Sequence, residues 1–348
     1  MMSPTTIVDD IVIAALRGWT PDDLFHILGP AIHPLAHRAA IRVPARVASP
    51  YLRAAWLRLL PPADPFYDVG LLPSWHAELT SLKVLRDVEL LTPPTTPESD
   101  PAAKIRRKIE ALLRKAESTE FEEEADALIA RAQSLRQSHR LTEALQNPHA
   151  APITRRVYLD APYVKHKFSL LAAVCYANGV TGVLIDSRGL VSLIGTAGDL
   201  DHVIDLHASL ARQCEHFLTS SPGAAEAKRT RTTAAYRRSF RLSYATRIGD
   251  LLQEANSYDS TSGSAVSCED APSSSTDLAT VASQALPVLA RRLTAAEETR
   301  DRLFPHLSTL SLSATHLDGL HDGIAAAESA RLGGDSAGLD ARQRALTA

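Results

Sequence analysis

Cysteine is scarce in this chain: Cys175, Cys214 and Cys268 are the three in 348 residues, far apart and without a CxxC pair. That spacing argues against a disulfide framework and against a structural zinc ribbon, and a reduced, cytoplasmic chain is the expectation. Aromatic residues make up only 5%, which disfavours an aromatic-rich sheet sandwich. Charge of one sign is not in excess: 37 Lys and Arg against 40 Asp and Glu leave a net charge of -3. Any contact with nucleic acid must therefore rest on a local basic patch. Long apolar runs are missing too. No stretch approaches the roughly 18 residues of a membrane span, and the N-terminal MMSPTTIVDDIVIAALRGW places Asp9 and Asp10 where a signal peptide carries positive charge. No membrane contact is expected.

What the chain does have is 45% apolar residues with abundant alanine, enough for a buried core built from helices. The expected class is mainly α with a small α+β unit. An N-terminal helical region covers residues 1–92. Its TPDDL run offers Thr20 as a helix N-cap, Pro21 at the first helical position and Asp22 and Asp23 against the positive helix end. Residues 5–40 read as two helices. The Pro-rich LLTPPTTPESDP marks a boundary, with a linker at 93–103.

Residues 104–146 read as an αα-hairpin. Ile105, Ile109, Leu112 and Ala116 step along one amphipathic helix, and Ala125, Leu128, Ala132 and Leu135 along a second. Between them Thr119 and Glu122 have the spacing of a capping box, and the acids at 120 and 122–124 sit at the positive helix end. A structural corner explains this break without a ligand.

Residues 155–256 read as an α+β domain in β-α-β-β-α order that ends in a basic helix. RRVYLD is a strand, and Asp160 and Pro162 open a helix that Asn178-Gly179 closes. TGVLID and LVSLIG form a hairpin around SRG, and Asp199 caps the helix that follows. Residues 257–277 are of low complexity and read as a disordered linker. C-terminal helices are expected over 278–331, with a flexible tail at 332–348.

The run KIRRKIEALLRKAESTEFEEEADALIARAQSLRQSH, residues 104 to 139, has a corner LLRKAEST and a later AQSL. It resembles the bacterial domain-of-unknown-function family 2786. The flanking ALRGWTPDDL, GTAGDLDHVIDLHASLARQ, YRRSFRLSYATRIGDLL and ALPVLA are similar to longer actinobacterial members of that family. Where those carry an aromatic-glycine motif before the last alanine-rich helix, this chain has HLDGLHDGIAAAESARLGG. The resemblance implies a bacterial and phage-associated architecture without an established activity, and it carries over no catalytic residues. No cofactor is expected.

Ionisable residues are dense between 186 and 216. His202, Asp205 and Ser209 share a helix face, which makes His202 and Asp205 the candidates for a hydrolase, although adjacent turns of one helix do not converge as nucleophile activation requires. His202 and His207 are five apart, out of register for a shared metal. The GTAG turn at 195–198 lacks the Gly-Lys-Ser/Thr ending of a phosphate loop. His26, His33 and His37 have helical spacing without a carboxylate or Cys beside them. No metal site is expected.

The remaining signal is basic. Lys228, Arg229, Arg231, Arg237, Arg238, Arg241 and Arg247 occur with no acid among them, interleaved with Tyr236, Phe240 and Tyr244. Such a helix suits phosphate contacts with aromatic stacking. The alternative is that the i,i+4 aromatics are core and the arginines pair with acids elsewhere. A second cluster in the hairpin includes Arg107 and Arg114, with the acids at 122–126 available to neutralise it. The leading expectation is a non-catalytic DNA- or RNA-associated binding protein using Arg231, Arg237, Arg238, Arg241, Arg107 and Arg114. A hydrolase and a scaffold whose hairpin binds a protein partner are the alternatives.

Overall fold

The computed structural model describes residues 3–92, 142–261 and 275–330, with Lys108, Ala111, Leu112, Lys115 and Leu135 between the first two segments. Those five positions and residues 142–146 are helical. The rest of the expected hairpin, including Thr119, Glu122, Arg107 and Arg114, lies outside the described residues.

The regular elements of the N-terminal region are helices joined by turns and irregular segments. Helix α1 (Pro4–Leu16) buries Ile7, Val8, Ile11, Val12, Ala14 and Ala15 on one side, the stripe that 3.6 residues per turn gives to that spacing. Thr20 caps α2 (Pro21–Leu28) as expected. Its Oγ1 accepts from the Asp23 amide at 3.2 Å, and Asp23 Oδ2 accepts from the Thr20 amide at 2.8 Å. Residues 5–40 form three helices and not two. Gly29, at φ +82°, ends α2, and a 3-10 turn, Pro30–Ile32, leads into α3 (His33–Ala40). Proline-initiated α4 (Pro50–Leu57) and α5 (Leu72–Ser81) complete the layer. Trp19, Trp56 and Trp75 fill its core. Trp56 Nε1 donates to the Trp19 carbonyl at 3.1 Å and Trp19 Nε1 to the Lys83 carbonyl at 2.8 Å, so neither indole is buried unsatisfied.

The α+β unit has the expected order: β1 (Ile153–Tyr158), α6 (Val164–Ala177), β2 (Thr181–Leu184), β3 (Leu190–Gly195) and α7 (Ala197–Ser220). Strand β3 is central and antiparallel to both neighbours. It is buried along its whole length, which its continuous run of LVSLIG anticipates. Two local starts differ from expectation. Helix α6 begins at Val164 behind Tyr163, held in the left-handed region at φ +69°, and Asp160 provides no side-chain cap. Thr196 caps α7 one turn before Asp199. Its hydroxyl accepts from the Asp199 amide at 3.5 Å and donates to Asp199 Oδ2 at 2.9 Å, so Asp199 answers the cap from the N3 position.

Short α8 (Pro222–Arg229) leads into α9 (Thr233–Thr261), followed by α10 (Ser275–Leu303) and α11 (Leu317–Glu328). The helices therefore reach into both ends of the expected 257–277 linker. On α9, Tyr236, Phe240, Tyr244 and Ile248 form one buried stripe. Helix α11 approaches the other side through small residues. A methyl group on Gly319 would lie 2.7 Å from the Tyr236 carbonyl oxygen, and one on Gly323 2.4 Å from that of Phe240. The glycine- and alanine-rich stretch is thus what lets two helix backbones meet.

The N-terminal layer and the sheet are in contact. Leu91 bridges to Thr154 of β1, Leu190 joins the N-terminal core, and Arg156 reaches Asp23, Asp87 and the Gly18 carbonyl. Among the described residues, no helix is long and apolar enough to cross a membrane.

Candidate functional site

The basic run divides by burial. Tyr236, Phe240 and Tyr244 are core residues, 0–1% exposed. Tyr236 donates its hydroxyl to Asp322 Oδ2 at 2.7 Å and Tyr244 to the Leu210 carbonyl at 3.3 Å. These rings are committed to packing. Of the seven cations, Arg229 pairs with Glu226 at 2.6 Å, and Arg247 with Glu254 at 3.1 Å and Glu328 at 3.2 Å.

Arg241 is buried. Its Nη2 lies 2.8 and 2.7 Å from the two oxygens of Glu215, its Nη1 donates to the Arg237 carbonyl, and its guanidinium stacks on the Tyr163 ring at 4.8 Å. Lys228, Arg231, Arg237 and Arg238 are exposed and form no ion pair among the described residues. They gather where α8 ends and α9 begins. Arg231 occupies the corner itself, at φ +59°, with its amide bonded to the Lys228 carbonyl. This left-handed turn holds the two helix ends, and with them the four cations, at one edge.

Beside this edge, α6, α7 and the end of β1 enclose a cavity of about 410 Å³, lined by His166, Lys167, His207, Arg212, Glu215 and Arg241 among others. The core stripe of α7 is Leu200, Val203, Leu206, Leu210, Cys214 and Leu218. His207, Ala211 and Glu215, at i, i+4 and i+8, form the adjacent stripe that faces the cavity. His202 is five residues away and Asp205 two, so both point elsewhere on the helix, and neither lines the cavity.

The Nε2 atoms of His166 and His207 are shielded from solvent and have no hydrogen-bond partner among the described residues. Burial pushes the His207 imidazole down to about 4. Burial, and then the charges of Arg238, Arg241 and Lys165, lower that of His166. Both rings are therefore neutral near pH 7. Burial pushes the Cys214 thiol up to about 12, so it is no thiolate nucleophile there. Neither imidazole is legible as a site residue from sequence. They are 41 positions apart and carry no motif; only the tertiary packing of α6 on α7 brings them together.

A larger depression of about 580 Å³ runs between Tyr51, Arg58, Val88 and Glu89. One cation, Arg58, and one carboxylate, Glu89, line it, and it encloses no unpartnered buried nitrogen among the described residues. His26 and His33, on different helices, each contact a backbone carbonyl, of Arg188 at 2.8 Å and Leu60 at 2.9 Å. No group of three His, Cys, Asp or Glu suited to a metal occurs among the described residues.

Glu143, near the end of the segment expected to form the hairpin, is held against α10. Buried Arg292 of α10 donates to both of its oxygens, at 2.8 and 3.1 Å, and to the Asn147 carbonyl at 2.9 Å. No curated protein and no solved structure matches the chain. Residues 104–143 do match the model of the family described as Protein of unknown function (DUF2786).

Proposed function

We propose that the protein is a non-catalytic nucleic-acid-associated binding protein that contacts phosphates through Lys228, Arg231, Arg237 and Arg238. The observation that carries this reading is that these four cations stand exposed at one helix corner without a carboxylate partner among the described residues. Exposed unpaired guanidinium groups bind phosphate with little desolvation cost, and bidentately.

The burial of Tyr236, Phe240 and Tyr244 narrows the mode of contact. With those rings in the core, α9 offers charge and no stacking platform, so binding is to backbone phosphates and tolerant of sequence. Arg241 supports the edge from within, since its charge is already answered by Glu215. The experiment is the ultraviolet absorbance ratio of the purified protein before and after a high-salt wash. Nucleic acid that co-purifies and is stripped by salt supports the reading; a protein free of nucleic acid at low salt opposes it.

A further inference from the structure

The connection between α4 and α5 carries the most exposed large apolar side chain among the described residues. Phe66 is 83% exposed, and Leu60 and Val69 on the same connection are exposed with it. The backbone around the ring is nevertheless held. The Phe66 amide donates to Asp64 Oδ1 at 2.9 Å and the Gly70 amide to Asp68 Oδ1 at 2.7 Å, side-chain turns that fix the chain on either side of Phe66. Tyr67 lies against Trp75, ring centroids 6.3 Å apart, and under the Arg38 guanidinium at 6.0 Å, which ties the connection to α3 and α5. The fold thus presents an apolar ring to water on a fixed turn, the form that an interface anchor takes.

The same layer has a place for such a ring. The depression of about 580 Å³ lies between α4 and the turn Arg86–Glu89, and Pro50, Tyr51, Ala54, Val88 and Leu91 make most of its wall apolar. Its volume is ample for one aromatic side chain with part of its turn. Phe66 is not among the residues that line it, and the hold on Tyr67 keeps the ring of the same chain beside α3 and α5.

The charges agree as well. Arg58, the cation of the wall, forms no ion pair among the described residues; its Nε donates to the Ala54 carbonyl at 3.2 Å, and Asp22 reaches it only as a longer-range charge. Glu89, the carboxylate of the wall, faces Arg302 at 3.8 Å. The Phe66 turn brings the sign that Arg58 needs. Asp64 and Asp68 flank the ring without an ion pair among the described residues, and no Lys or Arg occurs between Arg58 and Lys83.

We propose that this protein associates with itself, Phe66 of one copy entering the depression between α4 and Arg86–Glu89 of a second copy, with Asp64 or Asp68 beside Arg58 of the receiving chain. The ring supplies the desolvated anchor, and the flanking carboxylates set its register. The match of ring, volume and charge within one sequence is what names a second copy as the occupant. This contact is independent of the basic corner.

Sedimentation velocity of the nuclease-treated full chain over a concentration series tests it, with two single variants and their mixture. Wild type should shift from monomer to larger species as concentration rises. Phe66→Ser, at an exposed position, and Ala54→Gln, which fills the depression from a half-buried position of α4, should each weaken association about thirtyfold or more, the loss of one anchor. An equimolar mixture of the two should associate again, because the first variant keeps the depression and the second keeps the ring. Should Ala54→Gln fail to fold, Arg58→Glu, at an exposed position, takes its place. A wild type that stays monomeric at every concentration overturns the proposal. Association that survives Ala54→Gln would mean that Phe66 meets some other surface, and association that survives Phe66→Ser that another face is used; either overturns it, as does a mixture that associates no better than its components.

Discussion

Arg156 of β1 holds Asp87 of the N-terminal layer in a two-pronged pair, Nη2 to Oδ1 at 2.7 Å and Nε to Oδ2 at 3.0 Å, and its remaining nitrogen is shared by Asp23 and the Gly18 carbonyl. Both carboxylates are wholly buried. Tyr158, two residues on and on the same sheet face, donates to the other oxygen of Asp23 at 2.8 Å. One strand therefore anchors the helical layer through charge, and Asp23 serves it while also closing the cap of α2.

Removing the cation should be far worse than removing the whole group. Arg156→Met leaves two buried carboxylates uncompensated and should cost about 3–5 kcal/mol. Urea denaturation of Arg156→Met against the triple variant that also carries Asp23→Leu and Asp87→Leu checks this. The triple variant is expected to recover part of the loss.

The folded state should lose stability as pH falls below 6.5. The His207 imidazole goes from 6.5 in the unfolded chain to about 4 in the fold, so between those values the unfolded state binds the extra proton. Stability from this group is complete above 6.5 and is lost on descent toward 4, to the extent of about 3 kcal/mol. His166, Lys167, Arg212 and Arg241 face the same space, and His166 shifts in the same direction. Denaturation at several pH values should show a steeper acid loss for wild type than for His207→Phe; parallel curves would contradict the burial of this ring.

The meeting of α9 and α11 should not tolerate a methyl group. A Cβ at position 323 would lie 2.2 Å from Ser243 Oγ and 2.4 Å from the Phe240 carbonyl oxygen, which is backbone and cannot turn aside. Gly323→Ala should cost about 1–3 kcal/mol, although alanine is the better helix former. A thermal melt showing the variant equal to or above wild type would mean that the helices do not approach so closely.

Arg241 should behave unlike its neighbours. Arg241→Gln gives up a bidentate pair and the stacking on Tyr163, and should lower stability by about 1.5–3 kcal/mol. Arg231→Gln, Arg237→Gln and Arg238→Gln, exposed and without ion pairs among the described residues, should each stay within about 0.5 kcal/mol of wild type. Chemical denaturation of the four single variants separates the structural arginine from the exposed ones.

What can be read from the sequence is local. Thr20, Pro21 and Asp23 announce the start of α2 because a cap spans four residues, and the β-α-β-β-α order follows from runs whose periodicity is self-contained. The buried stripe of Tyr236, Phe240 and Tyr244 follows from i,i+4 spacing. Roles set by distant partners are not legible. In the sequence Asp23 is only an acid at a helix end, and its pairing with Arg156 spans 133 positions. Arg241 looks like its neighbours in the basic run, and only the packing of α9 beside α7 shows that Glu215 answers it. His207 stands in the ionisable cluster, yet helical spacing singles out the face of His202 and Asp205, because spacing alone does not say which stripe borders a cavity.

The most direct test of the nucleic-acid reading is fluorescence anisotropy of labelled single- and double-stranded DNA and RNA over a salt series, comparing wild type with the triple variant Arg231→Gln/Arg237→Gln/Arg238→Gln. Binding at low salt should weaken linearly in the logarithm of salt. The triple variant should flatten that slope by roughly 0.9 for each duplex phosphate it no longer neutralises, or 0.7 for single strands, by similar amounts across sequences and with an unchanged melting temperature. A wild-type protein that binds none of these probes at low salt, or a triple variant whose salt slope equals that of wild type, would contradict the assignment of this corner to phosphate binding.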